Sequence, residues 1–303
     1  MRIAVIVNCG AGSVVSGELS AEKLRQMFLE GGTEADVHVI PGEEICDTVR
    51  AAVAGGAEAV VAGGGDGTIR AVASVLAGGP VPMGVLPLGT LNHFARDLRI
   101  PTDLAEAVSL IPKGVVKALD LGEVNGEIFV NNSVLGFYPP VVKVRDRERR
   151  EFDRNKWLAT ISALFKVLPK VSSLRVHVKA EGLDAWRKTR FLFVGNNEYA
   201  MRAFNFGARD RFDTGDLYLY IARTPSRFGL AGLALLSLVR DLKLTRGFDR
   251  WCLPEFTVES KLKAIPVYLD GEVTTMTPPL AYRTRPHDLK VILPPDSEPP
   301  DSA

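Results

Sequence analysis

The stretch that decides the fold is Ala59-Val60-Val61-Ala62-Gly63-Gly64-Gly65-Asp66-Gly67-Thr68. Its apolar part predicts a buried strand, and its glycines predict a turn whose backbone N–H groups can come close to a ligand. Apolar residues at helical spacing follow the turn: Ile69, Val72, Ala73 and Leu76. The turn therefore also opens a helix, whose N-terminus suits phosphate. Because Asp66 would repel phosphate unless a cation lay between them, the stretch predicts a Mg²⁺–nucleotide site.

Strand and helix patterns alternate on both sides of this stretch through the first 120 residues. Strands are predicted at 3–7, 36–40, 59–62 and 81–88. Helices are predicted around 24–28, 45–53, 69–76, 91–98 and 104–111. This alternation predicts an α/β unit with a parallel sheet. Ligands bind such sheets at the C-terminal ends of the strands, so Asn8, 63–68 and 89–92 are expected to gather at one site.

The second half of the chain has a different texture, in which strand patterns dominate and predict an antiparallel β domain. The predicted strands are 127–131, 174–179, 189–194, 217–222, 255–260, 265–269, 280–284 and 289–293. Helical insertions are predicted at 157–168 and 228–244. The expected organisation is a nucleotide-binding domain at 1–121, a β domain at 122–285, a last strand within 286–293 and a disordered, proline-rich acidic tail at 294–303.

Composition excludes several classes of protein. The net charge of +1 over 303 residues gives no reason to expect a nucleic-acid partner. Three widely spaced cysteines predict a reducing compartment without a disulfide framework, and the four histidines show no zinc spacing. The longest apolar run, 228–239, is shorter than the roughly 20 residues that span a bilayer. We therefore expect a soluble, cytoplasmic protein that at most touches a membrane from outside.

Three motifs, taken in order, resemble the diacylglycerol kinase catalytic-domain family of lipid kinases. They are Gly-Gly-Gly-Asp-Gly-Thr at 63–68, Pro-Leu-Gly-Thr-Leu-Asn at 87–92 and Leu-Asp-Gly-Glu at 269–272. The first is shared with phosphofructokinases and NAD kinases, whereas the set is more specific. The resemblance extends over about residues 2–293. It implies a C-terminal β-sandwich, a last strand that returns to the first domain, and transfer of the γ-phosphate of ATP to a lipid hydroxyl.

Phosphoryl transfer requires alignment of the phosphates and neutralisation of their charge. We assign these tasks to groups that bind ATP and Mg²⁺ in the loops that follow the predicted strands 3–7, 59–62 and 81–88. The expected nucleotide-binding residues are Asn8, Gly63, Gly64, Gly65, Asp66, Gly67, Thr68, Gly89, Thr90 and Asn92. Asp66 is the expected Mg²⁺ carboxylate, and it could equally cap the helix that follows.

The base for the acceptor hydroxyl is a separate question. The resemblance implies that Asp270 takes the proton, with Glu272 supporting it or the metal. An ordinary hairpin turn explains Asp-Gly at 270–271 as well, and Asp66 is a competing base. Asp213 and Asp216 resemble a second Mg²⁺ position of some bacterial relatives, although a solvated turn would also explain them.

The chain departs from the family pattern at two positions. Relatives often have Asn-Pro-x-Ser-Gly after the first strand, whereas this chain has Asn-Cys-Gly-Ala-Gly at 8–12. Relatives often have Asn-Asp where this chain has Asn92-His93, so a carboxylate that could bind metal through water is missing. Asp97 lies one helical turn further on and could replace it.

The lipid acceptor implies contact with a membrane. The segment 143–156 holds seven basic and four acidic residues and precedes an amphipathic pattern at 157–168, which suits an anionic surface or packs on the β domain. The expected partners are a lipid with a free hydroxyl and, transiently, a membrane surface, while a homodimer stays open. A kinase of a soluble acceptor, such as an NAD kinase, and a non-catalytic lipid or nucleotide sensor are the alternative functions.

Overall fold

The computed structural model describes residues 1–136, 173–199, 201–202, 205–206, 209, 211–223 and 247–295. The predicted helices at 157–168 and 228–244, the basic segment and residues 296–303 lie outside these ranges. None of the helices in the described ranges is long and apolar enough to cross a membrane.

The N-terminal half is an α/β unit with a parallel sheet, which confirms the predicted fold class. Its strands run in the order β2-β1-β3-β4. They are β1 (Ile3–Asn8), β2 (Ala35–Ile40), β3 (Ala59–Gly64) and β4 (Met83–Pro87). The helices are α1 (Gly12–Val15), α2 (Ala21–Glu30), α3 (Ile45–Ala54), α4 (Asp66–Leu76), α5 (His93–Asp97) and α6 (Leu104–Lys113), with a 3₁₀ turn at Gly42–Glu44. Apolar clusters cover both faces of the sheet, which explains why β3 is buried throughout.

The C-terminal half is built from antiparallel strands. They are β5 (Val115–Val124), β6 (Glu127–Phe129), β7 (Asn132–Gly136), β8 (Leu174–Ala180), β9 (Leu183–Thr189), β10 (Phe191–Asn196), β11 (Met201–Arg202), β12 (Asn205–Phe206), β13 (Leu217–Ala222), β14 (Phe248–Leu253), β15 (Glu255–Ser260), β16 (Ile265–Leu269), β17 (Glu272–Met276) and β18 (Leu280–Leu293). One sheet runs β14-β13-β10-β7-β16-β17. Strands β15 and β8 belong to the second sheet, which continues from the parallel strands in the order β4-β18-β15-β8-β9. The apolar face of the first sheet shares a core with β15 and β8, as in the expected β-sandwich.

One long strand joins the two halves. β18 pairs with β15 through Arg283 and Glu255, and it reaches the parallel sheet where Val291 lies beside Met83 of β4. β5 runs antiparallel to β18 along both parts, with a register shift between Arg285 and Leu289. The two strands predicted at 280–284 and 289–293 are therefore one. The prediction separated them because polar, partly exposed residues and a proline interrupt the apolar pattern there.

Candidate functional site

The carboxyl ends of β1 and β3 meet at Asn8 and Thr68. The Asn8 Nδ2 donates to Thr68 Oγ1 at 3.3 Å, and Asn8 Oδ1 accepts from the Gly10 N–H at 2.8 Å. Thr68 lies in the first turn of α4, and a Cβ added at Gly64 would overlap its side chain. The absence of a side chain at position 64 thus lets Thr68 fold back over the end of β3.

The glycine loop at 63–68 and the loop at 87–92 pack backbone against backbone. A Cβ added at Gly89 would overlap the Cα of Gly65. Asn92, with a left-handed φ of 49°, shapes the second loop. Its Oδ1 accepts from Gly89 N at 3.0 Å, and its Nδ2 donates to the carbonyls of Pro87 at 2.9 Å and Gly89 at 2.8 Å. The Asn92 amide is therefore engaged within its own loop, on which Thr90 lies exposed.

Gly89→Ala is expected to destabilise the fold by about 1–3 kcal/mol, because the new methyl group would force the two loops apart. Gly65→Ala is the matched control, since its added Cβ would lie 3.5 Å from the Cα of Gly89, an ordinary contact. Thermal unfolding of both variants measures the difference. Equal melting temperatures would show that the loops can separate without cost.

Asp66 is the first residue of α4, and its carboxylate points across to α5. It accepts from His93 N at 3.2 Å and Phe94 N at 3.1 Å, and from Asn131 Nδ2 at 3.4 Å. The interpretation of Asp66 as the cap of its own helix is wrong, because α4 has Gly65 at its N-cap and no side-chain cap bond. Asp66 instead caps α5. His93 contributes only its backbone N–H to this cap, since its side chain is not the carboxylate that the family resemblance implies at position 93.

Asp270 occupies a two-residue hairpin turn between β16 and β17. Both Asp270 and Gly271 have positive φ, 50° and 89°, as a type I′ turn requires. The Asp270 carboxylate accepts from the N–H groups of Val130 at 2.8 Å, Asn131 at 2.7 Å and Asn132 at 3.1 Å. Burial raises the pKa of Asp270 to about 6, although the three N–H donors favour the ionised form. The hairpin turn that the Asp-Gly dipeptide predicted is therefore present, and three backbone N–H groups hold the Asp270 carboxylate in place.

Glu272 brings the Asp-Gly-Glu turn onto the glycine loop. A Cβ added at Gly67 would overlap the Glu272 carboxylate. Glu272 Oε2 pairs with Arg70 Nη2 of α4 at 2.8 Å, and Arg70 Nη1 lies 3.8 Å from Glu127 Oε2. The loops around Asp66 and Asp270 are about 200 residues apart in the chain, and these contacts bring them side by side at one site.

Sequence reasoning missed a buried polar cluster behind these carboxylates. Arg209, 2% exposed, donates from Nε to Asp97 Oδ2 at 3.0 Å. Its Nη1 donates to the carbonyls of Val130 at 2.8 Å and Asn196 at 3.1 Å, and its Nη2 to Asn131 Oδ1 at 2.6 Å. Burial raises the pKa of the Asp97 carboxyl, and Arg209 opposes that shift. Asp97 is thus paired with Arg209, and its role as a replacement for the missing carboxylate at position 93 stays a prediction.

Asp213 and Asp216 lie in a separate turn. Asp213 is exposed and pairs with Arg211 at 3.2 Å, while the Asp216 carbonyl accepts from Asn197 N at 3.2 Å. Nearby, buried Asp120 accepts from Gly215 N at 2.7 Å and from His287 N at 2.9 Å. In the described part of the chain, His, Cys, Asp and Glu form no group of three or more that could hold a metal ion. The second metal at Asp213 and Asp216 stays a prediction.

Comparison with known proteins gives the family. The diacylglycerol kinase catalytic domain model matches residues 2–124. "Probable lipid kinase YegS-like" of Pseudomonas savastanoi pv. phaseolicola is 33% identical over 251 residues, 81% of this chain and 79% of that protein. The protein of that name from Pseudomonas aeruginosa PAO1 is 33% identical over 263 residues, 83% of each chain. A crystal structure of a diacylglycerol kinase from Bacillus anthracis has the same fold, with a TM-score of 0.69, 18% identity and 97% coverage of both chains. The chain therefore belongs to the YegS-like lipid kinases, with an N-terminal diacylglycerol kinase catalytic domain, and is a kinase.

Proposed function

We propose that the chain transfers the γ-phosphate of Mg²⁺–ATP to a hydroxyl of a diacylglycerol-like lipid, in the cleft between its two halves. One observation carries the proposal: Asn131 bonds both carboxylates that the chemistry needs. Its side-chain Nδ2 lies 3.4 Å from Asp66 Oδ1, and its backbone N lies 2.7 Å from Asp270 Oδ1. A phosphate held by the first half and a hydroxyl held by the second would therefore face each other.

The nucleotide fits the N-terminus of α4. No side chain caps this eleven-residue helix, and its N-cap is Gly65, so the backbone N–H groups of the first turn suit a phosphate. Asp66 fits Mg²⁺, because its Oδ2 accepts one N–H, from His93, and keeps a lone pair. Mg²⁺ commonly uses one or two carboxylates together with substrate phosphates and water. When bound, it would neutralise charge on the phosphate oxygens.

Asp270 fits the role of the general base. Its Oδ2 accepts one N–H, from Val130, and a second lone pair can take the hydroxyl proton. The pKa of about 6 brings the carboxylate closer to the operating pH than an ordinary aspartate. Glu272, paired with Arg70, supports the turn beside it.

The rate should rise with pH through about 6 and level off above 7, because the base acts only when ionised. Stability should move the other way. A raised pKa means that the folded chain binds more protons than the unfolded chain between about pH 4 and 6, so stability from this group falls as pH rises. The measurement is kcat at saturating Mg²⁺–ATP and lipid from pH 5 to 8. If the residual activity of Asp270→Asn keeps the same rising limb, another group or the nucleotide causes it.

The acceptor is tested with labelled ATP and a panel of acceptors. Diacylglycerol, a sphingoid base, ceramide and phosphatidylglycerol are offered in micelles, and NAD serves as the soluble alternative. We expect a labelled lipid product that requires Mg²⁺. Labelled NADP would favour the soluble-acceptor alternative, and nucleotide binding without any product would favour a sensor. We further propose a cytoplasmic location with transient contact at a membrane surface, where such a lipid is held.

A further inference from the structure

We infer that Arg209 and Asn131 are positioning residues that set the direction of the Asp66 carboxylate in phosphoryl transfer. The inference rests on the proposed function, because it takes Asp66 as the Mg²⁺–nucleotide carboxylate. Neither residue belongs to the three sequence motifs. Both are buried, Asn131 at 2% and Arg209 at 2% exposed.

The first connection runs through the side chain of Asn131. Arg209 Nη2 donates to Asn131 Oδ1 at 2.6 Å, so the oxygen of that amide must face the guanidinium. The Nδ2 is then turned toward Asp66 Oδ1, 3.4 Å away. Without Arg209 the amide could turn over and present its oxygen to the Asp66 carboxylate, where the two acceptors would repel each other.

The second connection runs through α5. Arg209 Nε holds Asp97, the last residue of α5, at 3.0 Å. The first residues of the same short helix donate the N–H groups of His93 and Phe94 to Asp66. Fixing Asp97 therefore fixes the helix whose other end holds the Asp66 carboxylate.

The cluster needs a guanidinium and not merely a positive charge. Arg209 serves four acceptors in different directions, on Asp97, Val130, Asn196 and Asn131. The rings of Phe212 and Tyr199 lie over it, 4.7 Å and 5.4 Å from its carbon Cζ. A lysine would keep the charge but has three donors on one nitrogen atom, so it would not hold the four acceptors together.

The test compares Arg209→Lys and Asn131→Leu with the parent chain. Asn131→Leu keeps the branched shape of the side chain at a larger volume and removes both of its side-chain bonds, to Asp66 and from Arg209. Arg283→Lys is the control, since it changes an arginine that also holds a buried carboxylate, Glu123. Calorimetry gives the Kd of Mg²⁺–ATP, kinetics give kcat and the Mg²⁺ concentration needed for half the maximal rate, and thermal melting identifies conditions in which each variant is folded.

We expect both test variants, when folded, to bind Mg²⁺–ATP about 10–100-fold more weakly, as when partners that orient a metal ligand are removed. Extra Mg²⁺ should restore part of the rate, and Arg283→Lys should match the parent. Lower melting temperatures with a parent-like Kd in the folded state would overturn the inference and leave a structural role. A parent that binds no Mg²⁺–ATP would overturn the proposed function and this inference with it.

Discussion

Asp66→Asn is expected to lower kcat/KM for Mg²⁺–ATP about a hundredfold or more, while the fold is kept. Removing a residue that hydrogen-bonds to a metal ligand typically lowers metal affinity or activity about 10–100-fold. Removing the charge of the ligand itself should lower them at least as much. The loss arises because the neutral amide no longer balances the cation between Asp66 and the phosphates. ATP affinity in the presence and absence of Mg²⁺, together with kcat, measures the effect.

The fold should survive this substitution. An asparagine oxygen can still accept from Phe94 N and Asn131 Nδ2, and the exchange endangers the bond to His93 N, worth about 1 kcal/mol. Asp47→Asn provides a matched control, because this exposed carboxylate in the first turn of α3 contacts Arg50 and no part of the site. Parent-like activity in Asp66→Asn at low Mg²⁺ would remove Asp66 from the nucleotide site.

The loops of the site could be predicted because their signals are local. A strand, a glycine turn and a helix follow one another within 59–76, and the period of the apolar residues changes at the turn. The positive φ of Asp270 and Gly271 follows from the Asp-Gly dipeptide in the same way. These features depend on neighbouring residues, so one sequence suffices to find them.

The contacts between the loops could not be predicted in this way. Arg209 and Asp97 are 112 positions apart, and Arg70 and Glu272 are 202 apart, so no local spacing connects them. Strand β9 was missed because Asp184, Arg187 and Lys188 interrupt its apolar residues and leave a weak apolar signal. Residues 115–119 of β5 were missed because Lys117 divides their short apolar run. Packing between distant elements determined these features.

Asp270→Asn is expected to lower kcat about 10²–10⁴-fold, the range for loss of a general base. The affinity for Mg²⁺–ATP should change little, because the glycine loop and Asp66 belong to the other half of the chain and Arg209 still holds the Asn131 side chain that bonds Asp66. Single-turnover kinetics with a saturating lipid acceptor separate this effect from binding.

Asp270→Asn should also lower the stability of the fold, because it disturbs the three backbone bonds to the Asp270 carboxylate. An asparagine would turn its NH₂ group toward one of the N–H donors of Val130, Asn131 and Asn132, and an unpaired buried donor costs about 1–3 kcal/mol. Rates must therefore be compared for folded protein. Ser133→Ala is the control. It removes a buried bond to Tyr282, lies next to Asn132 in the chain and leaves the Asp270 carboxylate in place. If Mg²⁺–ATP affinity collapses in Asp270→Asn while kcat at saturation survives, Asp270 organises the backbone at 130–132, and Asp66 becomes the better candidate for the base.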